Sequence, residues 1–420
     1  MDKNSQQPVT RLQKVIAGTL AVLFLITITV FGVCGLLKDP SAVLNSVRFH
    51  KAKKFLADPE DVSFFPMTQA RIASLQNQLG NTLPLEDEMS IINGSFQYAI
   101  GRDLAVQGAE QMLRLPNNQL YYLTSRPTLA AEAQEIVDLY NHIDGEIPFL
   151  FSFIHPGFFN GGQQLPEGYA AVDTSDELAE EILSVIRSAG IETLDSRTFF
   201  EGTGLTSDDL ILKTDKHWTY RAALLASQIY AEEINRLAGA NLDLSKLQLD
   251  QFEETTYEDL FFGDFGRLVG LHNSQLEDIT VFLPKYETNL TRHSEHRHGA
   301  IEDETGPFAQ SIFRERAMQI TEGKPWSEGA YTAYGLIEAF EQNVNHGECE
   351  DMTLLVLRDS FSEPICSFLS LVTKNVISAD LRYSDLTAVE LIEKYDPDMV
   401  IVSFSRFMFE DHTYKLGLSE

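Results

Sequence analysis

Between about residues 145 and 410 the chain alternates short apolar runs with segments of helical periodicity, and this rhythm restricts the fold more than any other feature. PFLFSFI, MTLLVLR, NVISA and DMVIVSFS are continuous apolar stretches of strand length. Around them, PTLAAEAQEIVDLYNHI, TSDELAEEILSVIRSAG, EPICSFLSLV and LTAVELIEKY repeat their apolar residues every three to four positions, as amphipathic helices do. Strands that are apolar on both faces must be covered on both sides, and parallel neighbours require a crossover helix. The pattern therefore predicts an α/β domain with a mostly parallel sheet. IETLD and LILKT read as two further strands, the second running into a long helix. Local punctuation agrees: Thr174 or Ser175 can cap a helix that Gly190 ends, and Pro364 suits a first turn because it has no N–H to leave unsatisfied. From residue 240 to 350 the rhythm fails, and this stretch reads as an insertion covering the rim of the sheet.

The N-terminal part is different in kind. Residues 15–37 carry no charge and, at 1.5 Å per helical residue, span the roughly 30 Å of a bilayer core. We read them as an uncleaved transmembrane anchor behind a cytoplasmic tail of residues 1–14, with residues 38–144 forming a stalk and a helical lead-in. Lys3, Arg11 and Lys14 precede the span and Lys38 follows it closely, with Arg48, Lys51, Lys53 and Lys54 further on. A single N-terminal span with a large domain behind it favours an inside N-terminus and an extracellular domain. The formal charge of −30 over 420 residues, with no basic cluster interleaved with aromatics, argues against nucleic acid as a partner. Cys34 lies in the apolar span. Cys349 and Cys366 sit at opposite ends of an expected strand, about 23 Å long, too far apart for a disulfide. His293, His296 and His298 form a His-rich loop without a carboxylate frame, so no metal site and no cofactor is expected.

In an open parallel sheet, ligands bind outside the carboxyl ends of the strands. The polar residues placed there are His155, Asp215, His217, Asp359, Ser360, Asp380, Arg382, Tyr383, Ser405 and Arg406. A serine at a sharp strand-to-helix turn is exposed at the top of the sheet, beside the free N–H groups of the following helix. Ser360 has that setting. Its hydroxyl needs a base to take its proton, and an imidazole acts as one only when its ring and tautomer are held, commonly by a carboxylate. Asp215 and His217, two residues apart in an extended segment, project the same way and supply both parts. Taken alone, each motif also fits an ordinary helix cap, with His217 packed in the core. The joint placement of both at strand ends favours the chemical reading. Trp218 is expected to wall the site, Arg382, Tyr383 and Arg406 to line an acceptor cleft, and the backbone of Ser360 with Asn160 to hold an oxyanion.

TDKHW followed some 140 residues later by LRDSF, then ADLRY and the last strand MVIVSFS, resembles the bacterial DHHW family, related to the SGNH-hydrolase-like domains of alginate O-acetylation proteins. The likeness covers roughly residues 145–410. It implies a flavodoxin-like SGNH fold in which Ser360 is the nucleophile, His217 the general base and acid, and Asp215 the group that orients His217. The family's His-His pair reads Lys216-His217 here, and the Gly of its Gly-Asp-Ser block is Arg358, a bulky residue beside the approach to the serine. The implied function is a membrane-anchored extracellular acyltransferase or esterase acting on O-acetyl groups of a cell-surface polysaccharide. A membrane-bound O-acyltransferase would be its partner. The alternative, for which Arg358 speaks, is a catalytically inactive glycan-binding or assembly protein that kept the fold.

Overall fold

The computed structural model describes residues 96, 99–100, 104–107, 110–143, 147–157, 165, 173–269, 274–296, 299–323, 330–335 and 339–418. They fall in the compact unit Asn93–Glu420. The expected anchor at 15–37 and the stalk lie outside the described residues, as do Asn160 and His298. Among the described residues no helix is long and apolar enough to cross a membrane.

The unit opens with a small antiparallel sheet, β1 (Leu104–Gln107), β2 (Glu110–Arg114) and β3 (Leu120–Leu123), in a stretch where the sequence suggested only helix. Helix α1 (Ala130–His142), β4 (Phe149–Ile154), α2 (Ser175–Ser188) and β5 (Glu192–Asp195) follow. After α3 (Tyr220–Ala238) come the ribbon β6 (Phe252–Phe261) and β7 (Glu277–Pro284), with α4 (Asp264–Val269) between its strands. Next are β8 (Leu290–His296), β9 (Ile301–Gly306), α5 (Glu315–Gly323) and β10 (Ala339–Asn345). The chain closes with β11 (Glu350–Arg358), α6 (Glu363–Leu369), β12 (Thr373–Ala379), α7 (Ala388–Tyr395), β13 (Met399–Ser405) and α8 (Arg406–Asp411).

One mixed eight-stranded sheet, in the order β5-β4-β13-β11-β12-β10-β8-β9, organises the unit. Its first five strands are mutually parallel; β10, β8 and β9 add antiparallel pairs. The insertion therefore does more than cover a rim, because it extends the sheet by three strands. The sequence reading missed them because β8 and β9 are rich in polar residues, and at the sheet edge β9 shows Glu302, Asp303 and Glu304, charges that discourage further strand pairing.

Alternation along the buried strands separates two cores. Leu150, Ile154, Leu354, Val356, Met399 and Ile401 pack on one face with α3 and α6. Phe151, Phe153, Leu355, Leu357, Val400, Val402 and Phe404 pack on the other with α1, α2, α7 and α8. A period-2 side-chain pattern can feed two cores only where both faces are covered, as read from the sequence. Each fully buried aliphatic or aromatic side chain here contributes about 1.5–3 kcal/mol relative to exposure. The longest helix, α3, starts where the Thr219 hydroxyl accepts the Ala222 N–H at 3.2 Å and stops at Gly239, whose φ of +65° suits a residue without Cβ.

His155, just past β4, is fully buried, and among the described residues neither ring nitrogen has a hydrogen-bond partner. Burial lowers its pKa from 6.5 to about 4, against the pull of Asp176. Folding thus favours the neutral ring, a contribution fully present above pH 6.5 and lost as the pH falls toward 4. Thermal unfolding followed between those pH values should show wild type losing stability on acidification faster than His155→Leu; parallel curves would contradict this assignment.

Candidate active site

The chain leaves β4 toward β5 in one direction and β11 toward β12 in the other, so the carboxyl ends of the strands between them form a switch point where ligands bind. Ser360 sits there, directly after β11. Its turn is latched by Asp359: one carboxylate oxygen accepts the Phe361 N–H at 3.0 Å and the other the Ser405 N–H at 2.7 Å, while the Asp359 carbonyl accepts from Ser362. The Phe361 and Ser362 N–H groups that follow the serine are therefore engaged within the turn. Among the described residues the Ser360 N–H has no acceptor. Beneath the turn the Ser362, Ser403, Tyr230 and Ser152 hydroxyls form a buried chain with 2.6 Å spacings that fixes it to β13, α3 and β4.

The Asp215–His217 segment is held differently from the sequence reading. LILKT is not a sheet strand: Leu210 ends a capped helical turn, and Ile211 bridges to Trp218 across a tight loop closed by Leu212 N–H to His217 C=O at 3.1 Å. The apolar side chains of this run are buried in the core beside α3, which explains their composition without a place in the sheet. The loop nonetheless delivers the expected pair to the expected point. His217 Nδ1 lies 2.6 Å from Asp215 Oδ1, and His217 Nε2 lies 2.6 Å from Ser360 Oγ. All three are nearly enclosed, with Ser360 8%, Asp215 5% and His217 3% exposed.

Electrostatics favour an ionised Asp215. Burial alone would raise its pKa, but the charge and hydrogen bond of His217, Lys216 nearby and the Asp264 N–H at 3.0 Å hold the carboxyl well below the usual carboxylate range. With Nδ1–H donated to that carboxylate, Nε2 is left to accept the serine proton.

Several contacts were not legible in the motifs. Tyr331, from the insertion, stacks on the His217 ring at 4.0 Å and 17°, and Phe361 flanks it at 4.7 Å. Glu277, at the start of β7, accepts from Lys213 and Thr214 of the Asp215–His217 loop; burial pushes it up to about 7 against those hydrogen bonds. Gly263, in FFGDFG, packs its backbone on Asp215, and a Cβ there would overlap the Asp215 side chain and the Thr214 carbonyl. A glycine flanked by aromatics was the one available signal, marking a close backbone approach.

Two expected site residues are corrected. Trp218 does not wall a cleft: it is fully buried, and its indole N–H donates to the Phe361 carbonyl at 2.9 Å, tying the Asp215–His217 loop to the Ser360 turn. Arg406 is also fully buried, donating to the Tyr122 carbonyl at 2.7 Å and to Glu410 at 3.1 Å, so it joins β3 to α8 and meets no solvent. Arg382 and Tyr383 remain partly exposed beyond β12, with Arg382 forked onto Asp380 at 2.7 and 2.9 Å and lying 5.4 Å from the Tyr383 ring centroid. The Arg358 guanidinium is fully buried, paired with Glu363 and 3.9 Å from Asp380. His293 and His296 lie on strand β8 rather than in a loop, and His293 pairs with Asp303 at 2.7 Å.

Comparison with known proteins agrees with this fold. Residues 162–309 match the family model of the SGNH hydrolase-like domain, acetyltransferase AlgX, a span that includes Asp215, His217 and Glu277 and ends before Ser360. The fold is similar to that of a DHHW family protein from Eubacterium siraeum, at 15% identity over 73% of this chain and 94% of that one, with a TM-score of 0.53. It is similar too to Bacillus cereus PatB1 with a sulfonyl adduct, at 17% identity over 72% of this chain and 96% of that one, with a TM-score of 0.55. No curated protein matches. The resemblance read from TDKHW thus holds in the family model, and the fold is similar to that of a DHHW family protein, while LRDSF lies beyond the matched span.

Because the close approach at Gly263 leaves no room for a methyl group, Gly263→Ala must displace the Asp215 loop. The expected result is a loss of about 1–3 kcal/mol in denaturant unfolding, the usual range for overpacking. A variant as stable as wild type would show that the loop yields freely.

Proposed function

We propose that this chain is a serine acyltransferase or esterase using Ser360, His217 and Asp215. The observation that carries the reading is the path from Asp215 Oδ1 to His217 Nδ1 and, across the ring, from His217 Nε2 to Ser360 Oγ, both hydrogen bonds 2.6 Å long. Ser360 Oγ attacks the acyl carbonyl while its proton passes to His217 Nε2. The tetrahedral oxyanion rests by the Ser360 N–H, and its collapse expels the leaving alkoxide, which takes the proton back from His217. An acceptor hydroxyl then loses its proton to His217, attacks the acyl-serine, and releases Ser360 with its proton restored. A sugar hydroxyl as acceptor gives a transferase; water gives an esterase. Asp215 stays ionised throughout and steadies the imidazolium formed in each half-reaction.

The acyl group is acetyl and the acceptor a polysaccharide hydroxyl on this reading, supported by the match to a family model described as an acetyltransferase. The uncharged residues 15–37 support a membrane anchor with the enzyme outside the cell. An extracellular transferase needs acyl groups moved across the bilayer, work suited to a membrane-bound O-acyltransferase. Against the inactive-protein alternative, the buried pairing of the Arg358 side chain with Glu363 supports the enzyme reading.

The test is turnover of a chromogenic acetyl ester by the purified full chain, with and without an oligosaccharide acceptor. Ser360→Ala and His217→Ala are each expected to lower kcat on the order of 10⁴-fold or more, and not additively in combination. An inert wild type, or turnover that survives in Ser360→Ala, would contradict the reading.

A further inference from the structure

The loop carrying the acid–base pair is fixed from outside the parallel sheet. Glu277 receives three hydrogen bonds from two consecutive loop residues: Lys213 N–H at 2.5 Å, Thr214 N–H at 2.6 Å, and the Thr214 hydroxyl. The Thr214 hydroxyl oxygen also accepts the Gly263 N–H at 2.9 Å, and the Thr214 carbonyl accepts the Gly266 N–H at 2.8 Å. Every polar atom of the fully buried Thr214 is therefore bonded to the segment running from Gly263 to Glu277, all of it within the insertion. The next residue is Asp215, whose second carboxylate oxygen accepts from Asp264 of the same segment.

Such a concentration of short, directional bonds on one residue fixes the backbone from which both Asp215 and His217 project. The loop is not a sheet strand, and its other backbone ties, Leu212 N–H to the His217 carbonyl at 3.1 Å, Thr219 N–H to the Leu210 carbonyl at 2.8 Å and Leu120 N–H to the Lys213 carbonyl at 2.7 Å, leave the backbone of Thr214 to the Gly263–Glu277 segment. Proton transfer from Ser360 requires Nε2 at hydrogen-bond distance, and a displacement of about 1 Å costs on the order of 10²-fold in rate.

We propose that Glu277 is a positioning residue: by clamping Lys213 and Thr214 it sets His217 at the distance from Ser360 that proton transfer needs. The inference rests on the triad reading above and assigns part of the machinery to the insertion. Gln in place of Glu277 offers one acceptor oxygen where the carboxylate offers two, and turns an NH₂ group toward an N–H of Lys213 or Thr214. The loop then shifts while the Ser360 turn, latched by Asp359 and by the buried hydroxyls, stays.

The experiment measures kcat and KM for acetyl-ester hydrolysis by the full chain, with thermal unfolding alongside. Glu277→Gln is expected to lower kcat by about 30- to 100-fold with KM within about threefold, the signature of a misplaced catalytic group rather than a lost binding contact. Thr214→Val, which removes the bridging hydroxyl, is expected to fall in the same way, and Thr214→Ser, which restores it, to recover most of the loss. Should Glu277→Gln not fold, the Val and Ser pair decides. A folded Glu277→Gln with wild-type kcat, or equal losses in Thr214→Val and Thr214→Ser, overturns the inference alone. An inert wild type overturns the triad reading and this inference with it.

Discussion

A single hydrogen bond, His217 Nε2 to Ser360 Oγ at 2.6 Å, joins segments 143 residues apart and gives the rest of the architecture its purpose. Neither partner reaches the other through local structure. Ser360 is delivered by β11, a strand in the sheet interior whose end is latched by Asp359 and by a buried chain of hydroxyls. His217 is delivered by a loop that the sheet does not contain. The two meet where Trp218 donates to Phe361 across the gap, so the residue after His217 holds the residue after Ser360. A buried indole N–H must find an acceptor, and here that requirement fixes the geometry of the site.

How much of this could be read from the chain follows from which contacts are local. β4, β11, β12 and β13 were legible because strands covered on both faces need unbroken apolar runs, and their joining helices carry caps and period-3.6 patterns. Ser360 was legible as the residue after such a run. Asp215 and His217 were placed beside Ser360 for a partly wrong reason: LILKT resembles a strand because its side chains are buried, yet its backbone pairs within its own loop. Burial is what composition records; the partner of a backbone N–H is not. Trp218 and Arg406 illustrate the same limit, since a large polar-tipped side chain near a site reads equally as a cleft wall or as an internal tie, and here both are fully buried ties.

Long-range contacts account for what stayed hidden. Glu277 stands 63 residues from Thr214 and Tyr331 more than 110 from His217, both in a region of mixed polarity with no period to read. The departures from the family motifs look different once placed. Arg358 occupies the position of a glycine, yet its charge is paired with Glu363 and lies 3.9 Å from Asp380. Removing one partner from a buried pair of this kind costs about 3–5 kcal/mol. The substitution is accommodated as a set, with the acids that receive it.

The central claim is that Ser360 is a nucleophile activated by His217. Peptide mapping by mass spectrometry after brief exposure to a sulfonyl fluoride tests it most directly, since the reagent records which side chain attacks. The account predicts one adduct, on Ser360, that is suppressed in His217→Ala. An adduct elsewhere, or one on Ser360 that forms at the same rate without the imidazole, would contradict it.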